Sequence, residues 1–234
     1  YKAGHEWANN RRKHEVWPFS KVSISRMGEV IALAKEDGSG VKELLNFGTQ
    51  DYLGMSQHVK IKEKVKAIID EFGISSAGAA VLNGRHILGL QLEERLSEVL
   101  QQEQTLLFPS GWTAGFGAIA GLVRPYDVLI MDELCHNCLI VGAYHATRQV
   151  YKMKHNDINH LESLLREARE KNPRNGVFVV LESLYSMDAD MPDLQSILDL
   201  IEEYEAILFV DVAHDFGAMG DNGLGIFENV SLKG

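Results

Sequence analysis

The sequence predicts an α/β protein organised around a mainly parallel sheet, and three observations carry that expectation. Short, continuously apolar runs recur at "DVLIMD" (127–132), "GVFVVLES" (176–183) and "AILFVD" (206–211), as strands buried on both faces require. Between them lie stretches whose apolar residues fall three and four apart, on one face of a helix. The two patterns alternate, which is the signature of parallel strands joined by crossover helices.

Taken in order, residues 1–45 form a separate segment. It carries a basic run, Arg11, Arg12, Lys13 and His14, read as a solvated helix face, and a loop, "KEDGSG". From residue 46 the pattern becomes regular, so a second domain is expected over 46–234. "VKIKEKVKAIIDEF" places Val65, Ile68, Ile69 and Phe72 on one helix face, and "LEERLSEVL" does the same with Leu92, Leu96, Val99 and Leu100. "TLLF" (105–108) reads as a strand giving way to a helix at Ser110, Gly111 and Trp112. A helix is expected from about His136 to Arg148, then a strand at "QVYKM". Asn159 is the expected cap of the helix in "NHLESLLREAREK", with Glu162 three residues on. "DLQSILDLIEEYE" is amphipathic through Leu194, Ile197, Leu198 and Ile201.

Composition narrows the function classes. A net charge of −10 opposes non-specific binding to nucleic acid or to an anionic membrane surface. No apolar run approaches the roughly 18–20 residues that span a bilayer, and the N-terminal stretch lacks the apolar core of a signal peptide. With only two cysteines, Cys135 and Cys138, a disulfide framework is excluded and a reducing cytoplasm is the expected setting. Cys135, His136 and Cys138 lie too close on one helix to converge on one ion, and no second ligand pair is evident, so no metal site is expected.

Ligands of open parallel sheets bind beyond the carboxyl ends of the strands. Asp132, Glu182 and Asp211 each end an apolar run and lead into "DELCHNC", "ESLYSMDAD" and "DVAHDFG". The helix start at Ser110, Gly111 and Trp112 suits a phosphate. The imidazole of His136 suits the face of a planar ligand, and Asp211 suits a protonated ring nitrogen. Gly217, Gly220, Gly223 and Gly225 let the chain turn sharply close by. A phosphate cradle, a ring stacker and a carboxylate for a pyridinium nitrogen together answer the needs of pyridoxal phosphate.

Ordered along the chain, "NFGTQDYLGMS", "LEERLSEVL", "FPSGWTAG", "MDELCHNCLIVGA", "KHNDINHLESLL", "LESLYSMDADMPDL" and "FVDVAHDFGAMGDNGLG" resemble the α-oxoamine synthases. The resemblance covers about residues 46–228. It implies the large domain of a fold-type I transferase dependent on pyridoxal phosphate, preceded by an N-terminal segment. It implies an acyltransferase that condenses an α-amino acid with an acyl thioester, usually with loss of carbon dioxide, to an α-amino ketone. A homodimer with its active site at the interface is implied as well. In that reading Asp211 pairs with the pyridine nitrogen, His214 and Ser186 lie at the phenolic oxygen, and His136 covers the ring. Amides at Gly111 and Trp112, beside Ser110, hold the phosphate. Glu182 and Asp188 order their loop.

There are departures from the family pattern. The resemblance puts the Schiff-base lysine beyond Gly234, Lys233 standing too early and outside a Thr-x-x-Lys pattern, and the arginine for the substrate carboxylate further still. The 234-residue chain alone is therefore expected to be inactive. Val212 stands where an acidic residue is common, Gly115 where Asn is usual, and Gly89 where His is frequent. Asp215 replaces a small residue beside His214 and is expected either to act on that imidazole or to reshape the amino-acid pocket. Two alternatives stay open: a non-catalytic partner subunit of a heterodimer, and an aminotransferase or lyase of the same fold type.

Overall fold

A computed structural model describes residues 2–14, 19, 21–35 and 38–229; Lys233 lies outside the described residues. The chain divides into two compact units, residues 1–77 and 78–234. Residues 46–77 thus group with the N-terminal segment, whereas the sequence pattern had suggested a division at residue 45.

In the N-terminal unit, helix α1 (Lys2–Lys13) ends on Arg11, Arg12 and Lys13, cations set at the negative end of the helix dipole. Strands β1 (Val30–Ala34) and β2 (Val41–Leu45) form an antiparallel pair with Val30 opposite Leu45. Helix α2 (Val59–Phe72) has the bounds its periodicity predicts. Its apolar stripe remains open, for Val65, Ile69 and Phe72 are all exposed.

The larger unit begins with helices α3 (Ala80–Asn83), α4 (Ile87–Leu100) and α5 (Gly111–Leu122). It continues as β3 (Val128–Asp132), α6 (Asn137–Ala146), β4 (Val150–Met153), α7 (Ile158–Lys171), β5 (Val177–Glu182), α8 (Leu194–Glu203) and β6 (Ile207–Asp211). The four strands are parallel in the order β4-β3-β5-β6. Two local expectations need correction. Residues 105–108 join no sheet: the Thr105 hydroxyl donates to the Glu93 carbonyl at 2.6 Å and the Leu107 amide to the Glu93 carboxylate at 3.1 Å, so this stretch is tied to α4. Asp157, and not Asn159, caps α7, accepting from the His160 amide at 2.9 Å.

Alternation along the strands sorts the core into two faces. Leu129, Met131, Phe178 and Val180 pack against Ile119 of α5, Val123 just past its end, and Leu139 and Ala143 of α6. Ile130, Val177, Val179 and Leu181 pack against Leu161 and Leu165 of α7 and Ile197 of α8. Both central strands, β3 and β5, are buried along their whole length. Strand β6 is as apolar in sequence but only half-buried, with Ile207 exposed, because it is an edge of the described sheet.

Helices α5 and α6 meet at glycine. A Cβ built at Gly142 would stand 3.2 Å from the Phe116 Cα and carbonyl oxygen, which are backbone atoms and cannot rotate away. Gly142→Val is therefore expected to force the two helices apart and to cost about 1–3 kcal/mol, read as a lowered midpoint of chemical unfolding.

Candidate functional site

The connection from β3 through α6 leads to β4 on one side of the sheet, and that from β5 through α8 leads to β6 on the other. The strand order thus reverses between β3 and β5, and a crevice opens at their carboxyl ends. Ligands of open α/β sheets bind in such a crevice.

Glu182, buried at the end of β5, spans this crevice. Its Oε1 accepts from the His136 amide at 2.5 Å, which fixes the entry to α6. Burial raises the Glu182 pKa and the charge of Asp211 adds to this, while the hydrogen bond from the His136 amide works the other way. Asp211 is the register partner of Glu182 on β6, so both carboxylates face the α5–α6 side of the sheet. Oδ1 of Asp211 accepts from the Ala213 amide at 3.0 Å. Ser186 follows on the turn after β5, where it is exposed. His214 lies half-buried in the turn that follows β6.

At the start of α5, Ser110 and Thr113 form a capping box. The Thr113 amide donates to Ser110 Oγ at 3.2 Å and the Ser110 amide to Thr113 Oγ1 at 3.1 Å. The box does not use the amides of Gly111 and Trp112. Trp112 stacks on Phe116 with ring centres 5.4 Å apart. One turn into α5, Gly115 lies against Cys138 of α6, two residues beyond His136. The phosphate-type helix start and the imidazole therefore belong to adjoining helix ends.

Several groups that complete this rim make contacts that do not show in the sequence. Asp215 is fully buried: Oδ1 accepts from the Ser183 hydroxyl at 2.5 Å and Oδ2 from the Ile226 amide at 2.7 Å. The expectation that Asp215 reshapes an amino-acid pocket is corrected, because its carboxylate turns inward and staples β5 to the glycine-rich loop. That loop has positive φ at Gly217, Gly220, Gly223 and Gly225 (81°, 84°, 75° and 63°), which L side chains adopt only with strain. Asp215→Ala leaves the Ile226 amide without its acceptor, and a loss of about 1–3 kcal/mol is expected. Faster proteolysis within residues 217–228 would register it.

On the opposite face, buried Asp132 accepts from His155 Nδ1 at 2.9 Å and the Asn156 amide at 3.0 Å. His155 Nε2 donates in turn to Asp190 at 2.9 Å, and Tyr185 meets the imidazole edge-on at 4.6 Å. Asp190, where Asp188 was expected, is the carboxylate that orders the turn after β5. Asp188 is exposed there. The Cys135 thiol points at the Val180 carbonyl 3.5 Å away, and burial, reinforced by Asp132 and Glu182, pushes its pKa far up.

Among the described residues, no helix is long and apolar enough to cross a membrane. A concavity of about 780 Å³ in the N-terminal unit is lined by Arg26, Asn46, Asp51 and Tyr52 among others, and by none of the residues of the rim.

Over residues 42–231 the sequence matches the aminotransferases of class I and II. The chain belongs to this family. Among its relatives, the 8-amino-7-oxononanoate synthase of Thermoanaerobacter pseudethanolicus is 33% identical over 193 residues, 82% of this chain and 48% of the relative. That of Chlorobaculum parvum is 35% identical over 199 residues, 82% and 50%. The chain spans about half the length of these curated relatives. In fold it is similar to a serine palmitoyltransferase from S. paucimobilis with bound PLP-myriocin aldimine, at a TM-score of 0.86 and 23% identity over 97% of this chain and 55% of that one. The Sphingomonas wittichii serine palmitoyltransferase gives a TM-score of 0.82 at 26% identity, over 95% and 56%. These matches bear out the resemblance to the α-oxoamine synthases and the fold-type I assignment.

Proposed function

We propose that the protein is a pyridoxal-phosphate-dependent acyltransferase, joining an α-amino acid to an acyl thioester to give an α-amino ketone, usually with loss of carbon dioxide. The observation that carries this reading is the pairing at the crevice: Asp211 in register with Glu182, and Glu182 bonded to the His136 amide. The residues fit the cofactor. The capping box leaves the amides of Gly111 and Trp112 for phosphate oxygens, and Asp211 uses only Oδ1 on its neighbour, leaving Oδ2 for a ring N–H.

When bound, the cofactor supplies an electron sink for bond cleavage at the α-carbon of the amino acid. Asp211 holds the proton on the pyridine nitrogen through a charge-assisted bond, which keeps that sink effective. His136 covers one ring face and excludes water from it. His214 and Ser186 orient the phenolic oxygen, and Ser110 sets the helix start that receives the phosphate. We infer a cytoplasmic homodimer with the site at the subunit interface. Apolar residues left in water, such as Val81 and Leu82 at about nine-tenths exposure, support the dimer.

Incubating the full-length protein with pyridoxal phosphate, an amino acid and an acyl-CoA tests the reading. Appearance of aminoketone together with free CoA thiol supports it. Exchange of the amino group with a 2-oxo acid, without ketone, would place the chain with the aminotransferases. Neither activity would favour the non-catalytic partner subunit.

A further inference from the structure

We propose that Cys138 is a positioning residue for His136: lodged in the space cleared by Gly115, its thiol and its own amide hold Nδ1 of the imidazole as an acceptor and turn the Nε2–H edge outward. Only the functional role of this arrangement rests on the reading of the rim as a cofactor site.

Helix α6 is capped in an unusual way. Ser, Thr, Asp and Asn are the preferred capping residues, yet here a ring nitrogen takes the place of their oxygen. His136 Nδ1 lies 3.3 Å from the Cys138 amide nitrogen and 2.9 Å from Cys138 Sγ. The amide N–H can only donate but stands at 3.3 Å, so alone it favours a lone pair on Nδ1 without fixing it; the closer thiol, donating at 2.9 Å, holds the proton of the neutral ring on Nε2. The thiol reinforces this choice if it remains protonated. It does, since burial raises the Cys138 pKa and the nearby charge of Asp211 raises it further.

The thiol is held in place from the other side. Cys138 is 2% exposed, and a Cβ at Gly115 would stand 2.7 Å from Sγ and 3.1 Å from the Leu139 side chain. Any larger residue at 115 must displace the sulfur. Gly115, Cys138 and His136 therefore form one line from the α5–α6 packing seam to the crevice, and the glycine at 115 and the cysteine at 138 are two halves of one arrangement. A ring free to flip would present its two nitrogens in turn to whatever lies over it. With Nδ1 engaged, only one edge and one tautomer face the crevice.

The test uses histidine-labelled full-length protein without cofactor, read by long-range proton–nitrogen correlation of the imidazoles, with His136 assigned from its absence in His136→Asn. The Nε2–H tautomer is expected in the parent. A mixture of tautomers is expected in Cys138→Ala and in Gly115→Ala, which displaces the thiol without removing it. Cys138→Ser, whose hydroxyl can donate to Nδ1, is expected to restore the single form. In the holoenzyme, kcat of Cys138→Ala should fall about tenfold with little change in KM, the low end of the effect seen for groups that orient a metal-binding imidazole. An unchanged tautomer in both Cys138→Ala and Gly115→Ala, or no restoration by serine, overturns the proposal. If the tautomers respond as expected but the protein does not bind pyridoxal phosphate, the assignment of Cys138 stands and the cofactor reading fails.

Discussion

Asp211→Asn is expected to reduce kcat/KM at least about a hundredfold while leaving the folded protein no less stable. The first half follows from the loss of a charge-assisted bond to the ring nitrogen, worth about 1.5–3 kcal/mol, together with loss of the charge that keeps that nitrogen protonated. The second half follows from the neighbours of Asp211. Its carboxylate adds to the raised pKa of Glu182, after burial itself, and raises that of Cys138 as well. Neutralising residue 211 removes one of two like charges held in register at adjacent strand ends. Asparagine keeps an oxygen for the Ala213 amide, so the local turn survives. A steep fall in activity with an unchanged or raised thermal midpoint is the expected result. A parallel loss of both would mean that Asp211 acts through the fold alone.

The second large effect is on stability. His155 bridges two carboxylates, Nδ1 to Asp132 and Nε2 to Asp190, and both bonds form together only when both ring nitrogens carry protons. Burial alone would lower the His155 pKa; the hydrogen bonds and charges of Asp132 and Asp190 outweigh it, so the net shift is upward. A folded-state pKa above the unfolded value of roughly 6.5 means stabilisation that is complete below that value and lost as pH rises through the folded one. His155→Ala also leaves Asp132 buried without its cation. A cost of about 2–3 kcal/mol is expected at pH 6, below the roughly 3–5 kcal/mol for broken fully buried pairs because His155 is one-fifth exposed and Asp190 nearly half. By pH 9 the gap between parent and variant should narrow clearly. Urea unfolding at the two pH values measures it, and an equal gap at both would contradict the protonated bridge.

What could be read from the sequence, and what could not, divides along physical lines. Strands β3 and β5 and helices α2 and α4 follow from apolar spacing, since burial on two faces or on one stripe leaves a local pattern. The rim at Glu182 and Asp211 follows as well, because strand ends in a parallel sheet share one edge. Asn159 was a plausible cap by type, but Asp157 sits two residues earlier and captures the His160 amide. Both candidates were visible, and only backbone geometry separates them. "TLLF" has the composition of a strand, yet Glu93 takes its polar groups. The contacts of Asp215, His155 and Asp190 were missed for a common reason. Their partners lie 11 to 35 residues away, and nothing in a local window shows a carboxylate reaching across the sheet. The aspartate-rich "SMDAD" gave a hint, but pointed to Asp188 when the bonded residue is Asp190.

The central claim, that the β3/β5/β6 rim is a pyridoxal-phosphate site, is tested most directly by a crystal structure of the full-length protein grown with pyridoxal phosphate. The account predicts the pyridine nitrogen at hydrogen-bond distance from Asp211, about 2.6–3.2 Å, the His136 ring over the heterocycle, and the phosphate at the amides of Gly111 and Trp112. A heterocycle seated elsewhere, with Asp211 facing only water, would contradict it.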